Sequence, residues 1–181
     1  MNRKIIIIIC LIIPSTLFSQ IAIKGGISIA NRWDETLNSQ TLGKGFRLSA
    51  EKQIVSRFSI GVAISSIAFK PNELLDIKYK TLDLLATYYF SNNTLQPYVG
   101  IGFGYTQYAD KSTLDIGNGI TTKQTRDKNY GNISPFFGLK YSIGKEKKLA
   151  IFMQSNADFV PVVNIVPIGY LSLTSGLFIK F

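Results

Sequence analysis

Apolar and polar positions alternate along most of this chain. In the last stretch, Ile168 to Phe181, one face carries Leu171, Leu173, Ser175, Leu177, Ile179 and Phe181. The other face carries Tyr170, Ser172, Thr174, Gly176, Phe178 and Lys180. A period of two residues marks a β-strand with one face in an apolar medium. The pattern recurs upstream and predicts strands over Ile21–Ala30, Gly43–Gln53, Phe58–Phe69, Ile77–Phe90, a fifth from Pro97, Ile133–Ile143 and Leu149–Phe159. The fifth is the cleanest: Val99, Ile101, Phe103 and Tyr105 alternate with Gly100, Gly102, Gly104 and Thr106. No helical period is sustained long enough to place a helix.

The connections alternate in length. Tight polar turns follow strands two, four and six, at Ile54–Arg57, Ser91–Gln96 and Gly144–Lys148. Mostly longer loops follow the others, at Asn31–Leu42, Lys70–Asp76, Ala109–Asn132 and Val160–Pro167. Within the third of these, Asp115–Ile120 reads as a hairpin tip, because Gly and Asn tolerate positive φ. Strands five and six are therefore expected to run on past the membrane and turn there. Eight strands with short turns at one end and long loops at the other predict an all-β fold. It is an eight-stranded antiparallel up-and-down transmembrane β-barrel with short periplasmic turns and longer extracellular loops. A bilayer permits no open sheet edge, so the last strand must pair with Ile21–Ala30.

Alternation alone also suits a soluble barrel with its apolar face inside. A soluble periplasmic barrel binding an apolar ligand is therefore the alternative fold reading. Two features of the sequence favour the membrane. The less apolar face is rich in Gly, Ala and Ser, which a narrow barrel interior needs and a solvent-facing strand does not. Aromatic residues also gather near strand ends: Phe58, Phe90, Tyr98 and Phe181 at one end, Tyr105 with Trp33 or Phe159 at the other. That distribution matches two interfacial girdles. The inward face then carries Lys24, Arg47, Glu51, Asp83, Lys140, Asp158 and Lys180. An eight-stranded lumen holds side chains rather than a wide channel, so these charges are expected to form a structural ion-pair network. A narrow small-solute path is the alternative use of them.

The amino terminus reads as a leader. Arg3 and Lys4 precede the apolar run Ile5–Ile13, Pro14 breaks it, and small polar residues follow. The run is shorter than the ~20 residues of a spanning helix, so residues 1–19 are expected to be a signal peptide and residues 20–181 the barrel domain. Cys10 falls inside this leader, and there is no histidine. His-dependent catalysis and Cys or His metal sites are thereby excluded, and no catalytic motif remains, so an enzyme is not expected. No cofactor is predicted. The formal net charge is +9, but the basic residues are scattered along the chain. Nucleic acid is thus not an expected partner, whereas the charged surface of outer-membrane lipid is.

Three short stretches carry a family resemblance: Ile23-Lys24-Gly25-Gly26, the strand Gln96–Gly104, and the ending Phe178-Ile179-Lys180-Phe181. They resemble the PorT-like outer-membrane β-barrel domain, a family similar in architecture to the small OmpX- and OmpA-type barrels. The resemblance implies an eight-stranded barrel integral to the bacterial outer membrane of a Gram-negative cell. It implies a carboxyl-terminal assembly signal, here Leu177, Ile179 and Phe181, read by the barrel-assembly machinery. PorT itself is tied to a protein secretion system. The function expected is therefore a non-enzymatic envelope structural, binding or assembly component, a secretion role included. Its working surface would be the extracellular loops. The candidate contact residues there are Ile116, Asn118 and Ile120 in the long hairpin, with Val162, Val163 and Ile165 in the apolar loop before the last strand.

Overall fold

The computed structural model describes residues 21–33, 42–72, 75–115, 121–160 and 168–181. They form eight strands: β1 (Ile21–Trp33), β2 (Leu42–Val55), β3 (Phe58–Asn72), β4 (Leu75–Tyr89), β5 (Leu95–Asp115), β6 (Thr121–Ile143), β7 (Leu149–Val160) and β8 (Ile168–Lys180). Each strand pairs antiparallel with its sequence neighbours, and the sheet closes on itself. The seam is the expected one, with β1 meeting β8 from Ala22↔Lys180 to Trp33↔Gly169. A hydrogen bond from the Phe181 amide to the Ile21 carbonyl, at 3.0 Å, finishes it.

The faces follow the alternation. Leu82, Leu84 and Tyr88 of β4 point out, while Thr81, Asp83, Leu85, Thr87 and Tyr89 are buried inside. The outward belt runs unbroken around the barrel, from Ile27 and Leu48 through Leu84, Phe103, Phe137 and Ile151 to Leu177. A water-soluble protein would expose no such continuous apolar band. Even the shortest strand, β7 at 12 residues, exceeds the about 9–11 residues needed to cross a bilayer.

Several strands run further than the alternation predicts. β1 reaches Trp33 and β3 reaches Asn72. β5 and β6 are the longest, at 21 and 23 residues, and stay paired out to Asp115↔Thr121. This matches the expected hairpin that continues past the membrane.

The glycines of the inward face make room for rings. Tyr98 lies inside the barrel across from Gly138, and Phe136 sits across from Gly100. Tyr98 is therefore not part of the outer aromatic girdle. It has the same parity as Gly100, Gly102 and Gly104, and the pleat turns all four inward. Gly104 is the tightest case: a Cβ there would stand 1.9 Å from the Leu82 carbonyl oxygen and 2.5 Å from Asp83 Oδ1. Backbone on one side and an anchored carboxylate on the other leave nothing to yield. Gly104→Val is expected to cost about 1–3 kcal/mol through overpacking. A urea titration of the refolded barrel would measure it, and an unchanged midpoint would show that the strand pair can spread.

Candidate functional site

The lumen is arranged in three storeys. At the long-loop end Phe69, Tyr79 and Tyr170 pack together, with ring centroids 5.1–6.0 Å apart. Tyr108 stands against Tyr79 at 5.3 Å. Ile67, Ile77 and Ala30 complete this apolar cluster, and all are buried. Tilted and edge-to-face ring pairs of this kind each add about 0.5–1.5 kcal/mol beyond area burial. The cluster joins side chains of β1, β3, β4, β5 and β8 inside the lumen.

Below it lies the polar storey. Arg47 on β2 reaches across β3 to Asp83 on β4, with Nη2 donating to Oδ2 at 3.1 Å. Asn132 on β6 donates to the second oxygen of Asp83 at 2.8 Å. The same amide reaches the Ser134 hydroxyl at 2.9 Å, and Ser134 donates in turn to Asp158 on β7. Four strands are thereby joined through the interior. All five side chains are buried.

A second charge pair lies nearer the short-turn end. Lys24 on β1 meets Glu51 on β2 at 2.6 Å. Ser59 donates to the other Glu51 oxygen at 2.8 Å and Tyr89 does so at 3.1 Å. The Lys24 ammonium also stands 4.5 Å from the Tyr98 ring centre. Tyr98 donates to Gln154 at 3.0 Å, which leads on to Asn156 and Ser172.

Five of the seven predicted lumen charges thus fall into these two networks: Arg47, Asp83 and Asp158 in one, Lys24 and Glu51 in the other. The remaining two, Lys140 and Lys180, form no ion pair among the described residues. Lys180 donates to Gln53 at 3.1 Å. Lys140 faces the rings of Tyr89 and Phe178. What sequence reasoning missed is the aromatic plug. Tyr79 and Tyr170 read as inward from parity, but their meeting with Phe69 depends on the register of β3, β4 and β8.

Outside the barrel the described surface is the β5–β6 extension. β6 pairs with β7 only from Ile133 onward, so among the described residues Thr121–Asn132 has β5 on one side and no strand on the other. Gln124, Thr125, Arg126, Asp127, Lys128 and Asn129 are all exposed. Charged side chains on such an edge oppose indiscriminate pairing. Ile116, Asn118, Ile120, Val162, Val163 and Ile165 lie outside the described residues, as does the leader.

No family model matches the chain, and no curated protein does. The PorT-like resemblance therefore rests on the three quoted stretches. Solved structures do match. Neisserial surface protein A, NspA, is 16% identical, with a TM-score of 0.64 and coverage of 89% of this chain and 97% of that one. Ail, the attachment invasion locus protein of Yersinia pestis, is 15% identical, with a TM-score of 0.57 over 88% and 98% of the two chains. The outer membrane protein OprG from Pseudomonas aeruginosa is 13% identical, with a TM-score of 0.55 over 90% and 96%. Identities this low establish a shared fold. That fold, together with the outward apolar belt and the closed edge, makes this chain an integral outer-membrane β-barrel.

Proposed function

We propose that this chain is a non-enzymatic outer-membrane protein that works through its exterior, with the barrel as anchor and the β5–β6 hairpin as the contact surface. The observation that carries this reading is the hairpin itself. It continues the sheet beyond the barrel and leaves one edge of β6 open among the described residues. An open, ordered edge is a place where another chain can add a strand or lay side chains. Ile116, Asn118 and Ile120 would form its tip, and Val162, Val163 and Ile165 would add an apolar surface beside it. The packed rings and buried polar networks inside the lumen favour this reading over a small-solute channel. The PorT-like resemblance favours an envelope partner, such as a component of a secretion or assembly system.

Ail has been solved with the heparin analogue sucrose octasulfate. A sulfated glycan is accordingly a first probe for the exposed Arg126 and Lys128 of this hairpin. Replacing residues 113–123 by a two-residue Asn-Gly turn, together with Arg126→Gln and Lys128→Gln, should leave heat-modifiable gel migration intact. Retention of producing cells on heparin-coated beads should fall about tenfold, the equivalent of 1.4 kcal/mol. Equal retention by the shortened and native chains would remove the hairpin from the mechanism.

The same reading assigns Leu177, Ile179 and Phe181 as the assembly signal. All three point outward and are exposed. Phe181→Ser should lower outer-membrane yield about tenfold while refolding in detergent stays unchanged, since an exposed terminal ring adds little to stability. Loss of detergent refolding in parallel would make Phe181 a folding residue rather than an address.

A further inference from the structure

The third storey of the lumen, at the short-turn mouth, is not filled. A cavity of about 330 Å³ opens there. Lys140, Lys180, Tyr89, Phe178, Gln96 and Ser142 line it. Lys140 projects from β6 and is only 8% exposed. Its ammonium rests 4.1 Å from the Phe178 ring centre and 4.7 Å from that of Tyr89.

Among the described residues no carboxylate answers this cation. Glu51, an acid of the cavity wall, already accepts Lys24, Ser59 and Tyr89. Glu146, at the rim, stands 3.2 Å from Lys148. Ring faces offset part of the cost of burying an ammonium, but they supply no formal countercharge. Lys180 adds a second positive charge beside the first. The mouth therefore combines a buried unpaired cation, a supporting cation, two aromatic walls and space at the lower end of the range for small-molecule sites.

We propose that this mouth binds a small organic anion. Its carboxylate would pair with Lys140, with Lys180 alongside, and its apolar body would lie against Phe178 and Tyr89. The anion would complete the lumen network at a level where, among the described residues, no acid pairs with Lys140. The site lies at the end of the barrel opposite the outer hairpin and owes nothing to the hairpin's role.

Benzoate and its neutral isostere benzamide are suitable probes for the purified full-length barrel in detergent. Calorimetric titration should show benzoate binding at least about tenfold more tightly than benzamide. Lys140→Gln should remove that preference, and Phe178→Leu should weaken benzoate while preserving it. Lys145→Gln, outside the cavity wall, should match the native chain. Equal binding of the two probes by the native barrel, or no binding of either, overturns the proposal. So does a Lys140→Gln barrel that still prefers benzoate. The benzoate–benzamide comparison needs no variant, so a Lys140→Gln chain that failed to refold would not shield the proposal from refutation.

Discussion

Asp83→Leu is expected to lower the stability of the barrel by about 3–5 kcal/mol, the range for removing one partner of a buried ion pair. The physical reason lies in what stays behind. Arg47 is 7% exposed and has Asp83 as its ion-pair partner. Asn132 would lose the carboxylate that accepts its amide proton. The guanidinium would then lose its ion-pair partner in the lumen, and Leu at position 83 offers it no acceptor. Replacing both partners tells a different story. In the Arg47→Leu/Asp83→Leu double variant the guanidinium leaves with its ion-pair partner, and part of the loss should return. Urea titrations of the refolded barrel, read by heat-modifiable gel migration, would measure both. A single-variant shift below about 1 kcal/mol would show that water, not Asp83, solvates Arg47. A double variant as unstable as the single would place the cost in lost shape rather than lost charge.

That network also marks where sequence reading stops. The inward side of Arg47, Asp83 and Asp158 follows from parity alone, because period 2 sends every second residue to one face. Which charge meets which does not follow. Arg47 reaches Asp83 across an intervening strand, and Asp158 joins through Ser134 and Asn132. Such links depend on the stagger of four strands and on rotamers, neither of which leaves a trace in spacing. Lys140 and Lys180 show the same limit from the other side: inward by parity, yet without an ionic partner among the described residues.

The strand ends fail for a different reason. β1 and β3 continue into polar sequence at Arg32 and Asn72. Beyond the bilayer both faces of a strand meet water, so the apolar alternation lapses while the backbone ladder persists. Tyr98 shows the opposite effect: an aromatic near a strand end looks like a girdle residue, but the parity of its own strand sends it inward. Gly138, across the ladder, leaves the space it fills. The open edge of β6 needed the register of two neighbouring strands before it could be seen at all.

The outward belt makes the second large prediction. Leu84 is 67% exposed and lies in a row with Val62 and Phe103, between the polar row Ser66–Lys80–Gln107 towards the loops and Tyr88 towards the short turns. Placed in a bilayer, that row is near mid-depth. Leu84→Arg should therefore destabilise the barrel in lipid vesicles by about 2–4 kcal/mol, whereas Tyr88→Arg near the rim should lose at most about 1 kcal/mol from its charge. The depth dependence is the point of the pair. A bilayer penalises a charge by its distance from the headgroups, while water around a soluble barrel would accept Arg equally at both positions and leave stability within about 0.5 kcal/mol. Lys80 supplies an internal reference, since the chain already carries an outward lysine two residues before Leu82, where the apolar belt ends. A Leu84→Arg barrel as stable as the native one, in vesicles where Asp83→Leu unfolds early, would place the outer face in water and undo the membrane assignment.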